Sequence, residues 1–202
     1  MRVVAIDGPV GSGKSTVAKA VADRLDLPYL ESGAMYRVVA LAARRRGLDP
    51  ADEAAHAELA ANVDMELGER VLVDGADVTA ELRGADVGRA VSGVAAMAGV
   101  REELVNRQRQ WVAEHDGAVV EGRDIGSVVF PDADLKVFLT ASAAERARRR
   151  ALDETADDLA RRDLLDSTRS VSPLIVPEGA HVVDTTGRPI EDGVDEIVGL
   201  LG

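Results

Sequence analysis

The side chains best suited to chemistry stand at the end of a glycine-rich stretch, Gly8-Pro9-Val10-Gly11-Ser12-Gly13-Lys14-Ser15-Thr16. The apolar run Val3-Val4-Ala5-Ile6 precedes it and an amphipathic segment follows. That is the strand–loop–helix setting a P-loop requires. Glycines let the backbone curl so that several N–H groups face one hollow, and a helix start adds partial positive charge there. Such a hollow suits a polyphosphate. Lys14 can reach the outer phosphates, and the Ser15 hydroxyl is of the type that ligates Mg²⁺. The stretch implies a nucleoside triphosphate site.

Positive charge elsewhere comes almost wholly from arginine, because lysine occurs only at 14, 19 and 136. The guanidinium fork matches a phosphate at two points, which lysine cannot do. Three groups fall where ligands bind an open α/β sheet, beyond the carboxyl ends of predicted strands. They are Ser32 with Arg37, Arg123 with Asp124, and the group Arg161, Arg162, Asp166 and Arg169. Arg162, Asp166 and Arg169 also have the spacing of surface ion pairs on a helix. Arg148-Arg149-Arg150 reads as a solvated helix face, and Arg44-Arg45-Arg46 as a helix end complementing its dipole.

These groups need elements to hold them. Val17, Ala18, Val21, Ala22 and Leu25 predict a helix from Lys14 to Arg24, and Pro28-Tyr29-Leu30 a strand. A helix runs from Ala34 to Arg46 with Gly47 as its cap, and Asp52 caps another reaching Asn62. Gly68-Glu69 and Asp74-Gly75, among Met65, Leu67, Val71 and Val73, signal a small antiparallel unit between helices. Helices over Ala85–Met97 and Val100–Glu114 follow. Strands at Ala118–Val120, Leu135–Leu139 and Ala180–Asp184 alternate with helices over Ala143–Leu165 and Ile190–Leu201. The pattern predicts a three-layer α/β fold whose central parallel five-stranded sheet is covered by helices. Residues 1–202 read as one domain, with the inserted unit at about 60–92 and a short lid at about 148–170.

Composition narrows the function classes. A net charge of −12 over 202 residues argues against a nucleic-acid partner. The lack of cysteine excludes disulfides, thiolate zinc sites and a cysteine nucleophile. No run reaches the ~20 apolar residues of a membrane helix, so a cytoplasmic protein is expected; a monomer is expected as well. His56, His115 and His181 are scattered without metal-ligand spacing, and Trp111 is read as core.

The chain resembles the bacterial cytidylate kinases, within the nucleoside monophosphate kinases. The resemblance rests on Asp7 through Thr16, Glu31-Ser32-Gly33-Ala34-Met35-Tyr36-Arg37, Val73-Asp74-Gly75-Ala76-Asp77-Val78-Thr79, Gly122 through Ala133, and Arg162 through Arg169 with Pro173-Leu174. It covers nearly the whole chain. It implies Mg²⁺-dependent transfer of the ATP γ-phosphoryl group to CMP or dCMP. By position, Arg37, Arg123 and Arg169 match the family's acceptor-phosphate residues, and Ser32 belongs to the same CMP-binding set. Ser92, Arg101 and Asp124 match those reading cytosine, and Arg162 and Asp166 those near the pentose. Lys14, Arg123, Arg162 and Arg169 are then the residues of the transfer step. The family's build has a core, an inserted unit closing over the monophosphate, and a lid.

The sequence departs from the family at Glu31, where Asp is usual, at Ser127, often Thr, and in a shortened stretch between Arg150 and Arg161. That stretch leaves open which of Arg148, Arg150 and Arg161 meets the donor. From the residues alone, another small-molecule P-loop kinase (for UMP, AMP or a hydroxyl acceptor) and a nucleotide-dependent switch also fit the first motif.

Overall fold

The computed structural model of the protein describes residues 1–151 and 155–201. In chain order the elements are β1 (Arg2–Asp7), α1 (Lys14–Leu25), β2 (Tyr29–Glu31), α2 (Ser32–Arg45), α3 (Glu53–Asn62), β3 (Met65–Glu66), β4 (Leu72–Val73) and β5 (Ala76–Asp77). They continue with α4 (Ala85–Val94), α5 (Ala98–Glu114), β6 (Gly117–Gly122), β7 (Leu135–Thr140), α6 (Ala143–Arg150), α7 (Ala156–Ser167), β8 (His181–Asp184) and α8 (Ile190–Gly199). The chain divides into two compact units, one of Met1–Glu31 with Trp111–Gly202 and the other of Ser32–Gln110.

The first unit is built on a parallel sheet with strand order β2-β6-β1-β7-β8. Val3–Ile6 and Ala118–Val120 are buried throughout, as continuous apolar runs must be when both faces of a sheet are covered. On one face Val17, Val21, Val194 and Ile197 pack with Val4, Ile6, Val119 and Val137. These side chains leave α1 and α8 at helical spacing, so both helices offer the sheet an aliphatic stripe.

The second unit gathers around α2 and α5, whose Val38, Val39, Val100 and Leu104 join Leu59, Val63 and Val87 in one core. The end of α2 follows its sequence signal: Gly47 N–H donates to Arg44 O and Leu48 N–H to Ala43 O, closing both bonds of a Schellman ending. Asp52 caps α3 by accepting from Ala55 N–H at 2.9 Å. β3, β4 and β5 form the antiparallel sheet, with Asp74 and Gly75 as a two-residue turn at φ 50° and 77°. Two successive left-handed residues match the strand twist, which is why Asp-Gly marks such turns.

Three features differ from the sequence reading. The helix expected over Ala143–Leu165 is two helices. Thr155 accepts from Asp158 N–H while Asp158 accepts from Thr155, a capping box that starts α7 afresh. Residues 152–154, which that helix and the 148–170 lid both span, lie outside the described residues. Trp111 is half-buried, not core: its indole stacks on His115 at 3.9 Å, and neighbouring Val112 takes the buried position. After β6 the chain enters a π-helical turn, Ile125–Val129, which no periodicity announced.

Leu104 is fully buried in the second unit's core. Leu104→Ala is expected to destabilise the protein by about 2–5 kcal/mol, read as a lowered midpoint in urea unfolding.

Candidate active site

The glycine-rich loop leaves β1 at Gly8 under severe crowding. A Cβ on Gly8 would stand 2.0 Å from the carbonyl oxygen of Leu139 in β7, at a φ of 150°. Only glycine fits, so the loop starts pressed against the neighbouring strand. From there it is fastened by side chains of the same unit. Thr185 Oγ1 lies 3.0 Å from Ser12 O, Arg146 donates to Val10 O at 3.2 Å, and Arg149 donates to Thr185 at Oγ1 and O. Arg149 therefore does not belong to a solvated face, as its place in an arginine run suggested. It is tied through Thr185 to the loop, and only Arg148 of the pair is largely exposed.

Lys14 begins α1 and folds back over the loop, donating from Nζ to Pro9 O at 2.9 Å. Burial pushes its ammonium down to about 7, with the Arg123 guanidinium adding to the effect, while Glu121, Asp7 and Asp166 oppose it. A buried cation beside a second cation is costly unless anions are near. Here the anions are three carboxylates.

Each carboxylate is held by different partners. Asp7, at the end of β1, accepts from Ile125 N–H at 2.8 Å and Gly126 N–H at 2.7 Å, capping the start of the π-helical turn. Glu121, near the end of β6, accepts from Ser15 Oγ at 2.7 Å and from the Tyr29 hydroxyl at 3.3 Å. Burial, then Glu121 and Glu31, hold the Tyr29 phenol well above its usual range, so it stays an O–H donor. Asp166, on α7, takes Arg123 Nε at 2.8 Å and Arg169 on its other oxygen. Burial pushes the Asp166 carboxyl up, yet Arg123 and Arg169 together keep it below the usual range.

The sequence-predicted residues fall on both units. In the first, Gly8–Thr16 form the loop and α1 start, and Arg123 and Arg169, both partly buried, close on the buried Asp166. Arg162 lies one turn before Asp166 on α7. Asp124 is buried at the head of the π-helical turn. In the second unit, Ser32 is buried at the start of α2, Arg37 donates to Leu82 O at 3.1 Å, and Ser92 is half-buried on α4. Arg101 is buried on α5, donates to Ala95 O at 3.1 Å, and lies 5.4 Å above the Tyr36 ring.

Sequence reading passed over Glu121, Tyr29, Arg146 and Arg149. Glu121 offered one signal, an acidic residue closing an apolar strand. Its partner Ser15 is 106 residues away, beyond the reach of any local pattern.

The model of one protein family, described as cytidylate kinase, matches residues 4–201. The chain belongs to the cytidylate kinase family. It is 48% identical over 215 residues to the cytidylate kinase of Rhodococcus jostii (strain RHA1), covering 98% of this chain and 92% of that one. It is also 48% identical over 212 residues to that of Desulforamulus reducens, at 98% and 95% coverage. Among solved structures, shikimate kinase from Acinetobacter baumannii in complex with shikimate shares the fold. The TM-score is 0.53 at 14% identity, over 100% of this chain and 93% of that one. Membership in the cytidylate kinase family agrees with the fold and with the resemblance of the five motifs.

Asp7 gives this site a pH signature. Burial raises its carboxyl from the usual 3.8 to about 6, against the pull of the two backbone N–H groups; Asp124 adds to the rise and Lys14 opposes it. Between those values the folded protein holds a proton that the unfolded chain has released. Stability therefore falls as pH rises through that window, and the loss is complete above about 6. The shift corresponds to about 3 kcal/mol. Asp7→Asn cannot titrate, so wild type should lose about that much relative to it between pH ~4 and ~7. Urea unfolding of both proteins across the window is the check.

Proposed function

We propose that this chain catalyses Mg²⁺-dependent transfer of the γ-phosphoryl group of ATP to CMP or dCMP, forming ADP and the cytidine diphosphate. The observation that carries the proposal is the charged cluster of Lys14, Arg123, Asp166 and Arg169, in which Lys14 and Asp166 are buried, in the loop-bearing unit of a cytidylate kinase family member.

The main-chain amides of Gly8–Thr16 cradle the ATP phosphates, and Lys14 faces the outer ones. The Ser15 hydroxyl and Glu121 carboxylate, which meet at 2.7 Å, are hard oxygen donors suited to Mg²⁺. When bound, the cation neutralises charge gathering on the transferring oxygens. Arg123, Arg162 and Arg169 hold the acceptor phosphate and the phosphoryl group in flight. Arg37 is a further acceptor-phosphate residue, Ser32 is a CMP-binding residue close to it in sequence, and Arg162 with Asp166 serve the pentose. Ser92, Arg101 and Asp124 read cytosine. The base presents an amino donor and two acceptors, so a carboxylate and a guanidinium are complementary to it.

A CMP phosphate oxygen forms the new bond to the γ-phosphorus as the bond to the β–γ bridging oxygen breaks and ADP leaves. No general base is required, because a phosphomonoester's second pKa is about 6 and the acceptor is already an oxyanion. The work left to the protein is alignment, exclusion of water and placement of cations. In this reading the enzyme acts as a cytoplasmic monomer on free nucleotides, without a nucleic-acid partner. Among the described residues no helix is long and apolar enough to cross a membrane.

An acceptor panel of CMP, dCMP, UMP, AMP and shikimate, followed by coupled ADP release, tests the proposal. Turnover should be greatest with CMP or dCMP; appreciable phosphorylation of the shikimate hydroxyl would overturn it. Uracil sets its O4 carbonyl against the Asp124 carboxylate, so Asp124→Asn should cut the CMP-to-UMP preference roughly tenfold or more. An unchanged ratio of kcat/KM values removes Asp124 from base reading.

A further inference from the structure

Glu121 is held from two sides. Ser15, the second residue of α1, donates to its Oε1, and Tyr29, the first residue of β2, donates to the same atom. Strand register brings them together. Tyr29 pairs with Val119 in the parallel β2–β6 ladder, so its side chain leaves the sheet on the face shared by Val119 and, two residues on, Glu121. That face lies under α1: Tyr29 and Val119 pack with Val17 and Val21. The phenol oxygen is also within hydrogen-bonding reach of Ser15. Three side chains from three elements of one unit thus converge on one point beside the loop.

We infer that Tyr29 is a positioning residue for the cation, its hydroxyl fixing the Glu121 carboxylate against Ser15 so that both oxygens stand ready for Mg²⁺ carried by the triphosphate. The inference rests on the Mg²⁺ reading given above. A glutamate swivels about three torsions, and a serine hydroxyl alone is a mobile anchor. A phenol has two torsions and its ring packs, partly buried, against the aliphatic core, so it restricts the carboxylate far more. Outer-sphere partners of this kind orient metal ligands, and their loss weakens metal binding by roughly 10- to 100-fold. Phenylalanine at 29 would keep the ring and the packing and remove only the donor.

The test uses Mn²⁺ as a paramagnetic probe, titrated into the full-length protein with a non-hydrolysable ATP analogue and followed by electron paramagnetic resonance. Wild type is compared with Tyr29→Phe, Ser15→Ala and Glu121→Gln, each checked for folding by a thermal melt. Tyr29→Phe should weaken Mn²⁺ binding about tenfold and raise the Mg²⁺ concentration for half-maximal turnover in step, with the KM for CMP unchanged. If Tyr29→Phe binds Mn²⁺ as wild type does while Ser15→Ala and Glu121→Gln bind it weakly, the inference is overturned and the Mg²⁺ reading stands. If none of the three changes Mn²⁺ affinity, the Mg²⁺ reading itself fails. A Tyr29→Phe protein that loses CMP affinity but keeps its Mn²⁺ affinity has a purely architectural tyrosine, which also overturns the inference.

Discussion

Lys14 has to carry charge in a place that barely solvates it. Its side chain is buried under the loop, and the Arg123 guanidinium raises the cost of a second cation there. Burying an ammonium is tolerable only when opposite charge is close and itself well held. Asp7, Glu121 and Asp166 meet that condition, each anchored by a different part of the first unit. Two amides of the π-helical turn grip Asp7, Ser15 and Tyr29 grip Glu121, and Arg123 and Arg169 grip Asp166. The ends of β1 and β6, the start of α1 and the C-terminal end of α7 are all fastened by this one balance of charge.

Asp166 shows how such a balance coexists with function. Its carboxylate sits between two guanidinium groups and is itself buried, so neither arginine is left as an uncompensated charge. In the proposed reaction an incoming phosphate brings more negative charge than a carboxylate and the same ability to accept from a planar fork. The arginines are then ordered before the substrate arrives, and binding exchanges one anion for another rather than assembling a cation cluster from solvent. An overall charge of −12 is compatible with a phosphate enzyme on these terms, because acidic residues hold the arginines in place.

What the sequence disclosed follows from the range of each interaction. The Asp52 cap, the Gly47 ending and the Asp74-Gly75 turn are set by residues within five positions of one another, the loop motif lies within the nine residues Gly8–Thr16, and each was legible. The capping box of Thr155 and Asp158 is equally local, but it lay inside a run of charged residues with helical spacing, which masked the break. Arg149 was indistinguishable from Arg148 in the sequence, since what separates them is Thr185, 36 residues away. The pairing of Asp7 with Gly126 spans 119 residues and that of Ser15 with Glu121 spans 106. Crossovers in a parallel sheet create such neighbours, and no local pattern encodes them.

Strand register makes the end of β6 a dividing point for three jobs. Ile6 stands opposite Glu121 and Asp7 opposite Gly122. Glu121 therefore faces α1 and Ser15, and after Gly122 the chain leaves the sheet with Arg123 meeting Asp166 on α7. Asp124 then heads the turn that Asp7 caps. A slip of one residue in this ladder would send Glu121 to the opposite face, away from Ser15 and Tyr29. It would also carry Ile125 and Gly126 out of reach of Asp7. The apolar residues of β6 are buried on both faces, so alternation of hydrophobicity does not fix this register. The charged and hydrogen-bonded residues at its end do, and the groups assigned to chemistry thereby specify the fold that positions them.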